Sequence, residues 1–260
     1  MIVEETKQPQ PSKIEKIKNR KLPEERWYYK LIGHVGRFII RFLWPAKIYY
    51  KENAILDRRA IFICNHCSSF DANPIISQVF GKNSNVVLKS EAAKSQFFAR
   101  CLKQVGGIPI RRGASDIDAV KKVLGVLNND QQILIFPEGT RNRKNDKEML
   151  PFKDGVATFA LKTKCEIVPM MYYRKSRPFR RNRILVGEPF DLSQFYGIKG
   201  SEVRKDATDY IYSKMQELRE EIDYFVEVLH CNKAKFDAYL QEKKAKQLEN
   251  ATLDEQNTPS

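Results

Sequence analysis

Between about residues 51 and 190, short apolar runs alternate with stretches of helical period, and this alternation constrains the fold more than any other feature of the chain. The runs at 60–64, 85–88, 108–110, 133–136, 167–172 and 183–187 have the length and β-branched content of strands. Helical period fits 72–80, 92–104, 116–128 and 154–163. In the third of these, Ile117, Val120, Val123, Leu124 and Leu127 keep the repeat, and Ser115 with Asp118 forms a capping box. Strands and helices taken in turn predict an α/β domain whose sheet is covered by helices.

The flanks differ in kind. Residues 1–25 are a polar, lysine-rich arm without the packing residues a core needs, and disorder is expected there. At helical spacing over 26–50, Lys30, His34, Arg37 and Arg41 fall on one stripe, and Tyr28, Leu31, Val35, Phe38, Ile39 and Phe42 spread over the other side, until Pro45 stops the pattern. A basic stripe opposite a broad aromatic face, with Trp and Tyr at both ends, predicts an amphipathic helix lying in a membrane interface. The bland alternative is a helix packed on the domain's own core. Residues 201–247 predict a long helix or a broken pair, with Val203, Ala207, Ile211, Met215, Leu218, Ile222, Phe225 and Leu229 in period, and 248–260 a disordered tail.

Lys and Arg number 46 against 32 Asp and Glu, a formal net charge of +14, which points to an anionic partner such as a membrane surface, a phosphorylated substrate or nucleic acid. The five cysteines are an odd number and no apolar leader precedes them, so a reducing compartment is expected. No run reaches the ~18 apolar residues of a spanning helix. Cys101, Cys165 and Cys231 are scattered singly, so no metal site is expected.

Chemistry gathers where apolar runs end. Ala60–Cys64 gives way at once to Asn65, His66, Ser68, Ser69 and Asp71. Strand ends in open α/β sheets border the ligand crevice. Asp71, five residues after His66, is close enough to fold back onto the imidazole, fix its tautomer and leave the other nitrogen as a base. Ser68, Ser69 or Asp71 as an N-cap is the plain structural alternative. Of three histidines, only His66 has an acid at this spacing, since His34 lies in the basic stripe and His230 in the C-terminal helix. Ile133–Arg143 repeats the design: a buried strand, a Pro137–Gly139 turn, then Glu138, Thr140, Arg141 and Arg143 crowded together. Backbone amides and an arginine fork suit a phosphate or a developing oxyanion. Gly106–Arg112 places two glycines ahead of a short apolar strand and paired arginines behind it. Arg174–Arg183 holds six basic residues in ten, in a loop suited to anionic headgroups or RNA.

Asn65-His66-(four residues)-Asp71, Gly106–Arg112, Phe136-Pro137-Glu138-Gly139-Thr140-Arg141 and Val168-Pro169 occur in this order, and together they resemble the four blocks of the glycerolipid acyltransferase family, most closely its bacterial 1-acylglycerol-3-phosphate acyltransferases. The likeness covers about residues 45 to 190. In the second block Arg111 replaces an aspartate common in the family, and Arg112 is the matching residue. The resemblance implies a mixed, largely parallel sheet flanked by helices, with the acyltransferase domain over 51–195. It implies transfer of a fatty acyl group from acyl-ACP or acyl-CoA to the sn-2 hydroxyl of 1-acyl-sn-glycerol 3-phosphate (lysophosphatidic acid), giving phosphatidic acid for phospholipid synthesis, without a cofactor. His66 steadied by Asp71 would take the hydroxyl proton, amides near Gly139 would stabilise the oxyanion, and Arg112 and Arg141 would hold the acceptor phosphate. Glu138 and Thr140 would order that pocket, and Lys89 would add a charge near the phosphate.

Three alternatives compete. The acceptor is another, such as glycerol 3-phosphate or a different lysophospholipid. Cys64-Asn-His-Cys67 resembles a thioredoxin-like redox motif, although Cys64 falls inside the strand pattern. A non-catalytic basic protein binding anionic lipid or nucleic acid would also carry the charge. With the amphipathic helix beside the basic loop, a peripheral protein on the cytoplasmic face of the cell membrane is expected, with no nucleic acid partner.

Overall fold

Each residue of Ala60–Cys64 is buried, because the strand is covered on both faces. Ala60, Phe62 and Cys64 point into one core and Ile61 and Ile63 into the other, which is why an unbroken apolar run, rather than an alternating one, marks it. The computed structural model describes residues 35, 38–39, 41–80, 84–89, 106–110, 117–144, 147–198, 200 and 202–256. The chain divides into a unit over Met1–Ile39, of which only Val35, Phe38 and Ile39 are described, as helical and exposed, and a unit over Ile40–Ser260.

The second unit is built on a seven-stranded sheet of order β1-β7-β6-β2-β5-β3-β4, with β1 Ala46–Tyr49, β2 Ala60–Cys64, β3 Ser84–Lys89, β4 Gly107–Ile110, β5 Gln132–Ile135, β6 Glu166–Tyr172 and β7 Asn182–Val186. All neighbours pair in parallel except β6 with β7. One face carries α1 (Ala72–Gln78) through Ile75, with Phe80 beside it. The other carries α2 (Ile117–Asn128), α3 (Gly155–Thr163) and α4 (Val203–Asp223) through Val123, Leu127, Val156, Ala160, Ile211, Met215 and Leu218. The sheet is therefore mixed, mostly parallel and flanked by helices, as expected.

Two boundaries differ from expectation, and one open choice is decided. The helix expected over 26–50 ends early: the chain leaves it after Leu43, next to the Pro45 stop, and Ala46–Tyr49 joins the sheet edge beside β7. Of the long helix and the broken pair that the sequence allows at 201–247, the structure has the broken pair: α4 passes into a π-helical turn at Tyr224–Val228, then His230 and Cys231 take left-handed backbone before α5 (Lys233–Gln256) begins. That helix runs past 247 through part of the segment expected to be disordered, held by ion pairs of Lys243 with Glu221 and Lys244 with Glu188. The helix expected at 92–104, and residues 26–34, 36–37 and 40 of the amphipathic helix expected at 26–50, lie outside the described residues. Among the described residues, no helix is long and apolar enough to cross a membrane.

Candidate active site

Ile63 lies opposite Ile135, so the loops that follow β2 and β5 leave the sheet side by side at one end. His66 opens the first loop. Its ring nitrogen Nδ1 lies 3.1 Å from Asp71 Oδ2, and its ring stacks on Phe136 of the second loop, with centroids 4.2 Å apart. A carboxylate only accepts, so Nδ1 carries the proton and Nε2 is left with its lone pair. The imidazole is partly exposed, at 19% of its side-chain surface, whereas Asp71 is buried at 1%.

Asp71 Oδ2 also accepts the backbone N–H groups of Cys67 and Ser68, each at 2.7 Å. The carboxylate thus closes the loop on itself and aims the ring in the same act. Asp71 occupies the N-cap position of α1 but makes no cap hydrogen bond there, so the plain capping role is not the one it plays. Its other oxygen is buried without a partner among the described residues. Tyr172, at the end of β6, donates its hydroxyl to the Asp71 carbonyl at 2.7 Å, and its own N–H goes to Asn65 Oδ1 at 2.8 Å. β6 therefore fixes the His66 loop from below.

Glu138 is buried too, and both its oxygens are engaged by backbone. Oε1 accepts the N–H of His66 at 2.8 Å, and Oε2 that of Leu150 at 3.1 Å. The Asn142 N–H returns to the His66 carbonyl at 2.7 Å. Glu138 acts as a clamp between loops, and its carboxylate is not turned to a ligand. Burial raises its pKa above the ordinary carboxylate value of 4.5, while the two amides partly offset this. The folded state then binds this proton more tightly than the unfolded chain, so this group's contribution to stability falls as pH rises from 4.5 through the raised value. Glu138→Gln turns an NH₂ toward one of the two amides and leaves it unpaired. A loss of about 1–3 kcal/mol is expected in urea unfolding at neutral pH, with the Glu138 part of the acid-range slope gone.

Gly139 has a left-handed φ of +63°, and a Cβ there would meet the Lys153 side chain at 2.9 Å. The Gly139 N–H is spent on the Phe136 carbonyl at 3.0 Å, so this amide is not free to serve an oxyanion. Thr140 is exposed, and the Arg141 guanidinium hydrogen-bonds the Ser69 hydroxyl, bridging the two loops beside His66. Lys89 ends β3 and Ile110 ends β4, and parallel pairing brings both strands to the same sheet end. Arg112, two residues beyond Ile110, lies outside the described residues, as does Ser115.

Val168 and Pro169 are in β6, paired with Phe62 and Ile63, and the Pro169 carbonyl accepts from Gly187 at 2.9 Å. That block builds the sheet under the site, with Val168 in the core cluster on which Phe136 packs. A cavity of about 610 Å³ opens between Gly187, α4 and α5, toward the end of the sheet where β2 begins, and so away from His66. Asn65, Ser69, Asn142, Lys153 and Tyr172 complete the arrangement without having been singled out for these roles. Only Asn65 and Ser69 carried a local signal, as neighbours of His66.

The Cys64 thiol is fully buried in β2, and burial pushes its pKa well up, which removes the thiolate a redox motif needs. Among the described residues no group of three or more His, Cys, Asp or Glu side chains is placed to hold a metal ion.

A family model described as Acyltransferase matches residues 46–173. The chain is 24% identical over 200 residues to a 1-acyl-sn-glycerol-3-phosphate acyltransferase of Bacillus subtilis (strain 168), covering 75% of this chain and 98% of that protein. It is 28% identical over 205 residues to one of Cocos nucifera, covering 77% of this chain and 61% of that protein. A crystal structure of the 1-acyl-sn-glycerophosphate (LPA) acyltransferase PlsC from Thermotoga maritima superposes with a TM-score of 0.55 at 23% identity, over 79% of this chain and 86% of that one, a likeness of fold.

Proposed function

The chain belongs to the glycerolipid acyltransferase family, and we propose that it acylates the sn-2 hydroxyl of 1-acyl-sn-glycerol 3-phosphate from acyl-ACP or acyl-CoA, giving phosphatidic acid for phospholipid synthesis. The observation that carries this reading is the His66–Asp71 contact at 3.1 Å beside the Glu138–Arg141 turn. His66 Nε2 takes the proton of the acceptor hydroxyl as its oxygen attacks the thioester carbonyl. The tetrahedral adduct collapses, the C–S bond breaks, and the imidazolium returns the proton to the leaving thiolate. No nucleophile from the protein is required, because the acceptor oxygen attacks directly. Asp71 stabilises the imidazolium that forms between the two proton transfers. Arg141, with Arg112 and Lys89 as further cations, holds the acceptor phosphate, and Glu138 and Thr140 order the turn around it. The reaction calls for no cofactor beyond the thioester. We place the protein peripherally on the anionic cytoplasmic leaflet, where its net charge of +14 favours binding and its acceptor resides.

The test is turnover of the full chain with lysophosphatidic acid, glycerol 3-phosphate and other lysophospholipids in competition, each with acyl-CoA and acyl-ACP. Lysophosphatidic acid is expected to win, and preference for another acceptor would refute the assignment. Arg141→Ala is expected to raise KM for the acceptor about 10–100-fold, consistent with loss of a charge-assisted phosphate contact, while KM for the thioester stays. An equal rise in both would show that Arg141 does not hold the phosphate.

A further inference from the structure

The hairpin loop between β6 and β7 rises from the same sheet end as His66, because β6 runs parallel to β2 and the chain crosses to β7 just beyond Tyr172. Residues 41–45 reach that end too, since β1 begins opposite Asn182. Two phenylalanines stand out of this surface. Phe179 is 70% exposed and Phe42 69%, their rings meeting edge to face at 6.5 Å. Trp44 stacks on Phe70, which lies inside the His66–Asp71 loop, at 4.3 Å.

The tip is rigid. Asn182 is buried and holds the loop from within. Its Oδ1 accepts the Arg177 N–H at 3.0 Å, and its Nδ2 donates to the carbonyls of Arg180, Pro45 and Arg177 at 3.0, 3.1 and 3.2 Å. Phe179 donates its N–H to the Leu43 carbonyl at 2.7 Å. At its peak Phe179 adopts φ +55°, a left-handed conformation that a bulky side chain rarely takes and glycine takes freely. A large apolar side chain is thus kept exposed on strained backbone, a combination that works against stability and invites a functional explanation.

The six basic residues of the loop do not act alike. Arg174 is tied down by Asp223 and Glu227, and Arg183 is half-buried. Arg177, Arg180 and Arg181 ring the tip, exposed, with no carboxylate among the described residues at ion-pair distance.

We infer that this loop is a membrane-docking wedge: Phe179, beside Phe42, enters the interface of an anionic bilayer while Arg177, Arg180 and Arg181 contact lipid phosphates. The inference deepens the reading of a lipid acyltransferase, since it sets the His66 loop against the surface that holds the acceptor. Lipid fits better than RNA because the exposed Phe179 and Phe42 are followed toward the site by the half-buried Trp44 stacked on the exposed Phe70, an aromatic strip suited to a bilayer interface.

The test uses the full chain, vesicles of phosphatidylcholine with phosphatidylglycerol, and two variants. Phe179→Gly is expected to weaken sedimentation with vesicles about tenfold, with an unchanged or higher Tm because glycine relieves the backbone. Changing Arg177, Arg180 and Arg181 together to Gln is expected to weaken it on the order of 100-fold, at roughly fivefold per near-surface charge, and to flatten its salt dependence. Acyl transfer to a short-chain lysophosphatidate dissolved as monomers should be unchanged in both. Wild-type vesicle binding by the variants, a lower Tm in Phe179→Gly, or loss of binding to an RNA oligonucleotide alone would overturn the docking role. Absence of transfer to the monomeric acceptor by the wild-type protein would instead count against the enzyme reading, and the vesicle results would still decide the wedge.

Discussion

His66→Ala is expected to lower acyl transfer by a factor on the order of 10³, within the span that a positioned general base supplies. The expectation follows from geometry. The ring is held on one side by Asp71 at 3.1 Å and on its face by Phe136, so Nε2 is presented without the freedom that would dilute its action. The imidazole is not a main support of the fold, because the backbone of His66, and not its ring, makes the links to Glu138 and Asn142. Thermal unfolding of the variant should therefore stay close to wild type while turnover with lysophosphatidic acid and a thioester donor collapses. Vesicle binding should survive as well, which separates a lipid-modifying enzyme from a basic protein that merely adheres to lipid.

Asp71 carries the second large effect, and two substitutions divide its roles. Asp71→Asn keeps an oxygen for the N–H groups of Cys67 and Ser68 but loses the charge that opposes an imidazolium. A fall of about 10²–10³ in kcat is expected, inside the range of about 10²–10⁴ for the general base that Asp71 supports, with little change in unfolding midpoint. Asp71→Ala removes the acceptor altogether and strands two amides in a buried loop. Each costs about 1–3 kcal/mol, so this variant should lose stability and activity together. Steady-state kinetics and urea titration of the two variants side by side make the check. Equal stability losses in both would show that charge, not the acceptor oxygen, holds the loop.

The sequence was informative where burial is two-sided and where chemistry is local. β2, β5 and β6 are apolar along nearly their whole length because both faces are covered, and no helical period competes with that signal. The β1 segment was missed for the opposite reason. Ala46–Tyr49 has four residues, pairs with β7 at the sheet edge and is only partly buried, so no long apolar run marks it. The helix α5 is polar on most of its surface and is fixed by Glu–Lys pairs to distant elements, so its composition resembled that of a disordered tail. At the site, Asp71 is five residues from its partner and was legible. The clamp by Glu138 spans 72 residues and the Tyr172 support 101, and no local pattern announces contacts of that range. Glu138 looked like a pocket residue because charge near a glycine turn suggests a ligand. Its real partners are backbone amides, which leave no trace in sequence.

The most direct measurement is acyl transfer to lysophosphatidic acid by His66→Gly with and without added imidazole. If a ring nitrogen held at this point removes the acceptor's proton, the variant alone should fall on the order of 10³-fold, and imidazole should restore part of the rate with saturation. A variant that turns over at the wild-type rate without imidazole would contradict the account.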